Sequence, residues 1–157
     1  MLPTTVAKPP VVGDPAPDFA LPDQDGRTVR LANYRGKSPV VVFFYPMDGS
    51  PSCTREACSF RDSHQAFADS GAVVLGISAD TGASHARFAA SHKLPYRLLT
   101  DKGGAVRKQY GATILTLFPG RVTFVIDQDG IVRHRYDSSH SGRHVAEALA
   151  TLKSLTS

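Results

Sequence analysis

Two thiols are the residues best suited to chemistry in this chain. Cys53 and Cys58 are its only cysteines, and both lie in YPMDGSPSCTREACSFRD, residues 45–62. Ser50-Pro51 reads as a helix start, with serine as the cap and proline at the first helical position. Cys53 then falls in the first turn, where unpaired backbone N–H groups and the helix dipole favour the thiolate, the nucleophilic form. Cys58 lies more than a turn later and has no such help. One sulfur is placed to attack and the other to wait. On an ideal helix, five residues give ~7.5 Å of rise and ~140° of net rotation, so the two Cα atoms stand ~8.6 Å apart. A disulfide tolerates at most about 7 Å, so any bond between them requires the helix to open. The plainer alternative is a pair of inert buried thiols, and on spacing alone both readings stand.

The rest of the chain narrows the field. At 157 residues it fits one domain able to bury its own core. Eighteen Lys+Arg against fourteen Asp+Glu give a net charge of +4. The positive residues are scattered, with no basic run or aromatic-interleaved patch, which argues against nucleic-acid binding. Two cysteines are too few for a secreted disulfide framework, and no C-x-x-C…H-x-x-x-H pattern offers a zinc site. The longest apolar stretch, PVVVFFYP from Pro39 to Pro46, is too short to span a membrane. MLPTTVAKPP lacks the apolar centre of a secretory signal and reads as a flexible leader over residues 1–12, ahead of a single domain over 13–157. A cytoplasmic setting is the expectation, with an organelle after leader removal as the alternative.

The elements that must position the thiols follow from periodicity and turn chemistry. Short strands are predicted at Asp18–Leu21 and Thr28–Leu31 around DQDG, as a hairpin. PVVVFFY (39–45) and AVVLGIS (72–78) read as buried strands, and Cys53 to about Ser70 as a helix with Ala57, Phe60, His64 and Phe67 on one stripe. A helix over 82–93, an extended YRLLTD, a short helix in GGAVRKQYG, a hairpin in RVTFVIDQDGIVRHRYDS and a closing amphipathic helix complete the chain. That order predicts an α/β thioredoxin-like fold, with a mixed central sheet flanked by helices and an N-terminal β-hairpin extension. None of the six histidines shows an evident partner. His64 reads as a core or boundary residue, and His134, His140 and His144 as solvated.

PMDGSPSC fits Pro-x-x-x-Thr/Ser-x-x-Cys and resembles the peroxidatic motif of peroxiredoxins. The longer cysteine stretch resembles the Q subfamily, also known as bacterioferritin-comigratory proteins, whose members often carry a second cysteine five residues on. GDPAPDFALPDQDG, LPYRLLTD and GRVTFVIDQDGIVRH resemble further segments of that family in order, so the likeness covers nearly the whole chain. It implies that Cys53 is the peroxidatic thiolate and Cys58 the resolving thiol, joined in an intramolecular disulfide during turnover. Ser50 stands where threonine is usual, its hydroxyl directed at the peroxide; Pro46 shields the pocket; Arg121 matches the arginine that holds thiolate and peroxide oxygens. Glu56 either orients an arginine or favours the helix start. Met47 and Gly49 depart from the residues frequent there.

The implied activity is reduction of hydrogen peroxide and organic hydroperoxides, with no metal or organic cofactor and with thioredoxin or a similar dithiol as reductant. The subfamily is often monomeric, and a monomer is the expectation here. Two rivals share the fold type: a thiol–disulfide oxidoreductase, for which C-x-x-C is usual, and a copper-binding assembly protein, for which C-x-x-x-C is usual.

Overall fold

The computed structural model describes residues 8–115 and 118–155. In chain order, β1 (Ala20–Pro22) and β2 (Thr28–Arg30) pair as an antiparallel hairpin. Next come β3 (Val40–Phe44), α1 (Pro51–Asp62), α2 (His64–Asp69), β4 (Val73–Ser78), α3 (Gly82–His92), β5 (Arg97–Thr100) and α4 (Ala105–Gln109). A two-residue pair, β6 (Thr113–Ile114) and β7 (Phe118–Pro119), precedes β8 (Val122–Ile126), β9 (Val132–Asp137) and α5 (His144–Leu155). The main sheet has the order β5-β4-β3-β8-β9, parallel on the β4–β5 side of β3 and antiparallel on the other. This is the expected mixed-sheet thioredoxin-like arrangement with a hairpin added at the N-terminal side.

β3 is buried along its whole length because its side chains feed two cores in alternation. Val40, Val42 and Phe44 pack with Leu75, Ile77 and Phe124 against the β1–β2 hairpin and Tyr110. Val41, Phe43 and Tyr45 face the other way, onto Cys53, Ala57 and Phe60 of α1, Phe67 of α2 and Ala148 and Leu152 of α5. Phe43 stacks on Phe60 with centroids 4.4 Å apart. Gly76 makes room for that ring: a Cβ there would lie 2.8 Å from Phe43 Cζ and 2.9 Å from Leu98 Cδ2. Truncating Phe60 to alanine removes the contact that seats α1 on the sheet, a loss of about 3–5 kcal/mol.

Several boundaries differ from the expectation for local reasons. The first hairpin starts two residues later than predicted, since Asp18 instead accepts the Ala32 N–H at 2.9 Å and Leu31 opens a 3₁₀ turn. The helix predicted to run to about Ser70 divides at Ser63, whose φ of −100° and ψ of 12° break the α conformation. Asp62 and Ser63 are weak helix formers. The break restarts the helical phase, so Phe67 stays buried while His64 turns out to solvent, against its predicted place on the stripe. The β6–β7 pair was not predicted, and it leaves Ile114, Leu115 and Phe118 exposed.

Of the leader expected over 1–12, residues 1–7 lie outside the described residues, and Pro10 is buried. Among the described residues, no helix is long and apolar enough to cross a membrane.

Candidate active site

The chain leaves β3 through Tyr45-Pro46 and turns into α1 within a few residues. Gly49 makes that turn with φ at +84°, a left-handed conformation that glycine adopts without strain, which accounts for glycine at this position. Ser50 caps α1: its Oγ accepts the Cys53 N–H at 3.2 Å, and Pro51 occupies the first turn. Because the Ser50 oxygen accepts, its O–H remains available to donate. Cys53 is buried, 1% exposed, and Cys58 is half-buried more than a turn on; both are free thiols on an unbroken α1.

Arg121 lies one residue ahead of β8, the strand paired antiparallel with β3. Its Nη2 lies 3.4 Å from Cys53 Sγ, its Nη1 donates to Glu56 Oε1 at 2.9 Å, and its Nε donates to the Ser139 carbonyl at 3.1 Å. All three directions of the guanidinium are therefore fixed, with one aimed at sulfur. Burial pulls the Arg121 pKa down, but the negative charges of Glu56 and Cys53 outweigh it and hold it above the ordinary arginine value. Glu56 is fully buried, and burial pushes its carboxyl up to about 7 against the downward pull of Arg121. Of the two roles open for Glu56, contact with an arginine is the one seen; the geometry brings Cys53, Ser50, Arg121 and Glu56 together.

Pro46 lines a recess of about 190 Å³ shared with Ala79, Gly104, Arg107, Thr113 and Pro119. Arg107, unremarked in the sequence, holds the frame of this region. Its guanidinium donates to the carbonyls of Ala112 at 3.0 Å, Gly120 at 2.6 Å and Tyr45. One side chain thus ties the residue before Pro46 to the residue before Arg121. Burial lowers the Arg107 pKa from the ordinary value, and the Asp101 carboxylate fixes the start of α4 by accepting the Val106 and Arg107 N–H groups at 3.1 and 2.9 Å.

Three histidines, His85, His144 and His134, contradict the reading that none has a partner. His85 is buried on α3, with Nδ1 2.7 Å from Asp48 Oδ2 and Nε2 3.1 Å from the Leu99 carbonyl. Asp48 also accepts from Tyr45 Oη at 2.6 Å and Ser84 Oγ at 2.9 Å, and its N–H donates to Asp80 at 2.8 Å. Burial raises the Asp48 pKa, but hydrogen bonds from His85 and Tyr45 outweigh it and hold the carboxyl below its ordinary value. This network pins the loop between Pro46 and Ser50 to α3 and β4. His144, expected to be solvated, is likewise buried: Nδ1 lies 2.8 Å from Thr123 Oγ1 and 3.4 Å from Glu56 Oε2, and Nε2 lies 3.0 Å from the Ser138 carbonyl. His134 is partly covered and faces Glu147 at 3.0 Å, while His140 is exposed as expected.

Comparison with known proteins gives the same answer from three directions. Residues 12–135 match the AhpC/TSA family. Chloroplastic peroxiredoxin Q of Oryza sativa subsp. japonica is 47% identical over 146 residues, covering 91% of this chain and 67% of that protein. Among solved structures, the peroxidoxin BcpB of Mycobacterium tuberculosis superposes with a TM-score of 0.87 at 42% identity, covering 94% of this chain and 99% of that one. The bacterioferritin comigratory protein of Xanthomonas campestris, studied for its alkyl peroxide reduction activity, gives 0.82 at 25% identity, covering 88% and 92%. These relationships set aside the oxidoreductase and copper-carrier readings. The chain belongs to the AhpC/TSA family and, within it, to the Q-type peroxiredoxins, and it is a thiol-dependent peroxidase.

Proposed function

We propose that Cys53 is the peroxidatic thiolate, that Cys58 resolves it, and that Ser50, Arg121 and Pro46 form the pocket in which the peroxide reacts. The observation that carries this reading is the Arg121 Nη2 contact with Cys53 Sγ at 3.4 Å, on a sulfur in the first turn of α1. A fixed cation and the helix start both favour negative charge at that atom. The thiolate attacks the O–O bond, so Cys53–S⁻ + ROOH + H⁺ gives Cys53–SOH + ROH. Charge passes from sulfur to the leaving oxygen within reach of the Arg121 guanidinium, and the Ser50 O–H is free to donate to the peroxide.

Resolution requires α1 to open, since its intact turns hold the two Cα atoms ~8.6 Å apart, beyond disulfide reach. Cys58–SH then attacks Cys53–SOH, releasing water and leaving the intramolecular disulfide. A dithiol reductant of the thioredoxin kind returns both thiols and is itself oxidised. Substrates are hydrogen peroxide and organic hydroperoxides, in keeping with the alkyl peroxide activity of the Xanthomonas campestris relative. Every group named belongs to one chain, so a monomer suffices for the cycle. A reducing cytosol, or the chloroplast for which the relatives are named, supplies the dithiol. Cys53→Ser tests the assignment: peroxide consumption is expected to vanish in the folded variant, and dithiol-linked turnover persisting there would refute it.

A further inference from the structure

Glu56 Oε2 is a buried carboxyl oxygen with no hydrogen-bond partner. Its sister oxygen takes the Arg121 Nη1 hydrogen at 2.9 Å, while Oε2 points at His144 Nδ1, 3.4 Å away. The state of that nitrogen follows from its neighbours. His144 Nε2 sits 3.0 Å from the Ser138 carbonyl, which can only accept, so Nε2 carries the ring hydrogen. Nδ1 then presents a lone pair and takes the hydrogen of the Thr123 hydroxyl at 2.8 Å. Burial, and after it the nearby Arg121 charge, hold the imidazole below its ordinary pKa and keep it neutral.

An ionised Oε2 would meet electron density where it needs a donor, a penalty the neutral acid does not carry. The other titratable groups facing Glu56 are the Arg121 guanidinium and the Tyr96 phenol. Facing His144 are Glu56, Arg121, Asp137 and the Tyr136 ring. Among the described residues, Arg121 is the cation in contact with both acids, Cys53 and Glu56. When both are ionised they share it; when Glu56 holds its proton, the thiolate has it alone.

We propose that His144 is a positioning residue for peroxide reduction: by presenting Glu56 with no hydrogen, it keeps that carboxyl in its acid form and so directs the Arg121 charge at Cys53. This rests on Cys53 being the peroxidatic thiol. The raised carboxyl of Glu56 agrees with it.

The test is His144→Asn, whose amide N–H₂ takes the place of Nδ1 and donates to Glu56, stabilising the carboxylate. The single-turnover rate with hydrogen peroxide is followed across pH for wild type, His144→Asn, Glu56→Gln and the double variant. His144→Asn is expected to be about tenfold slower at pH 7, with its profile displaced upward by about one unit. In the Glu56→Gln background, which cannot ionise, the same substitution is expected to leave the profile in place. A His144→Asn profile that superimposes on wild type, or an equal displacement with and without Glu56, would overturn the proposal. Wild-type protein inert to peroxide would instead remove the Cys53 reading on which it stands. Infrared spectra of the reduced wild-type protein provide a readout independent of any His144 variant. A protonated-carboxyl band at pH 7 that is lost in Glu56→Gln supports the proposal, and its absence from wild type contradicts it.

Discussion

Arg121 Nη2 lies 3.4 Å from Cys53 Sγ, although 68 residues separate the two in sequence. Both ends of this contact are held by further bonds. Cys53 is set by the Ser50 cap and the Phe43–Phe60 stack behind α1, and Arg121 by Glu56 and the Ser139 carbonyl. A fork held on two sides is a preorganised donor, which is how an arginine stabilises charge that shifts during a reaction.

Arg121→Lys keeps the charge and loses the fork. A lysine ammonium cannot serve Glu56, Ser139 and sulfur in the same planar arrangement. The rate of the peroxide step is expected to fall about 10- to 100-fold, measured by single-turnover fluorescence or thiol loss. A variant within twofold of wild type would mean that geometry at this position matters little and charge alone suffices.

Glu56→Gln probes stability as well as rate. An acid whose folded-state pKa is raised stabilises the fold most when protonated, so its contribution is complete below the unfolded value and is lost as pH rises through the folded value. With Glu56 moved from 4.5 to about 7, that window runs from about pH 4.5 to 7. Wild type is expected to lose about 2–3 kcal/mol from this group across the window, and Glu56→Gln to lack that component. Urea unfolding at pH 5 and pH 8 for both proteins measures the difference, and equal slopes would contradict the raised carboxyl.

Tyr96 bears on the second step. Its hydroxyl donates to the Ala57 carbonyl at 2.7 Å, inside the segment of α1 between the two cysteines. Opening the helix must break that bond. Tyr96→Phe is expected to leave the peroxide step unchanged and to speed disulfide formation about fivefold, the equivalent of ~1 kcal/mol for one hydrogen bond. Rapid-mixing kinetics separate the two phases, and a disulfide phase that is unchanged or slower would show that this bond does not restrain opening.

Much of the site is legible in sequence because its signals are local. Pro46, Gly49, Ser50 and Pro51 spell out a strand end, a turn and a helix start within six residues, and the helix start is what sets Cys53 apart from Cys58. The buried run of β3 is equally plain. Arg121 became readable only through resemblance, because nothing in GRVTFVI says which way the arginine points. His85, Arg107 and His144 stayed hidden for the same reason. Their partners Asp48, Tyr45 and Glu56 are brought close by the sheet order, and a buried histidine surrounded by polar sequence looks like a solvated one. His144 turns inward because α5 packs across β8, which sets the ring against Thr123. The division of the first long helix at Ser63 was missed since a single polar residue is tolerated in many helices.

The most direct test of the mechanism is an intact mass. The reduced protein is mixed with one equivalent of hydrogen peroxide, quenched within seconds and weighed without reductant, beside Cys58→Ser. Wild type is expected to lose two hydrogens and become inert to alkylation, as Cys53 and Cys58 join through the opened helix. Cys58→Ser is expected to gain one oxygen at Cys53. A wild-type chain that keeps the added oxygen would remove Cys58 from the cycle, and one that shows no change would contradict the assignment of Cys53.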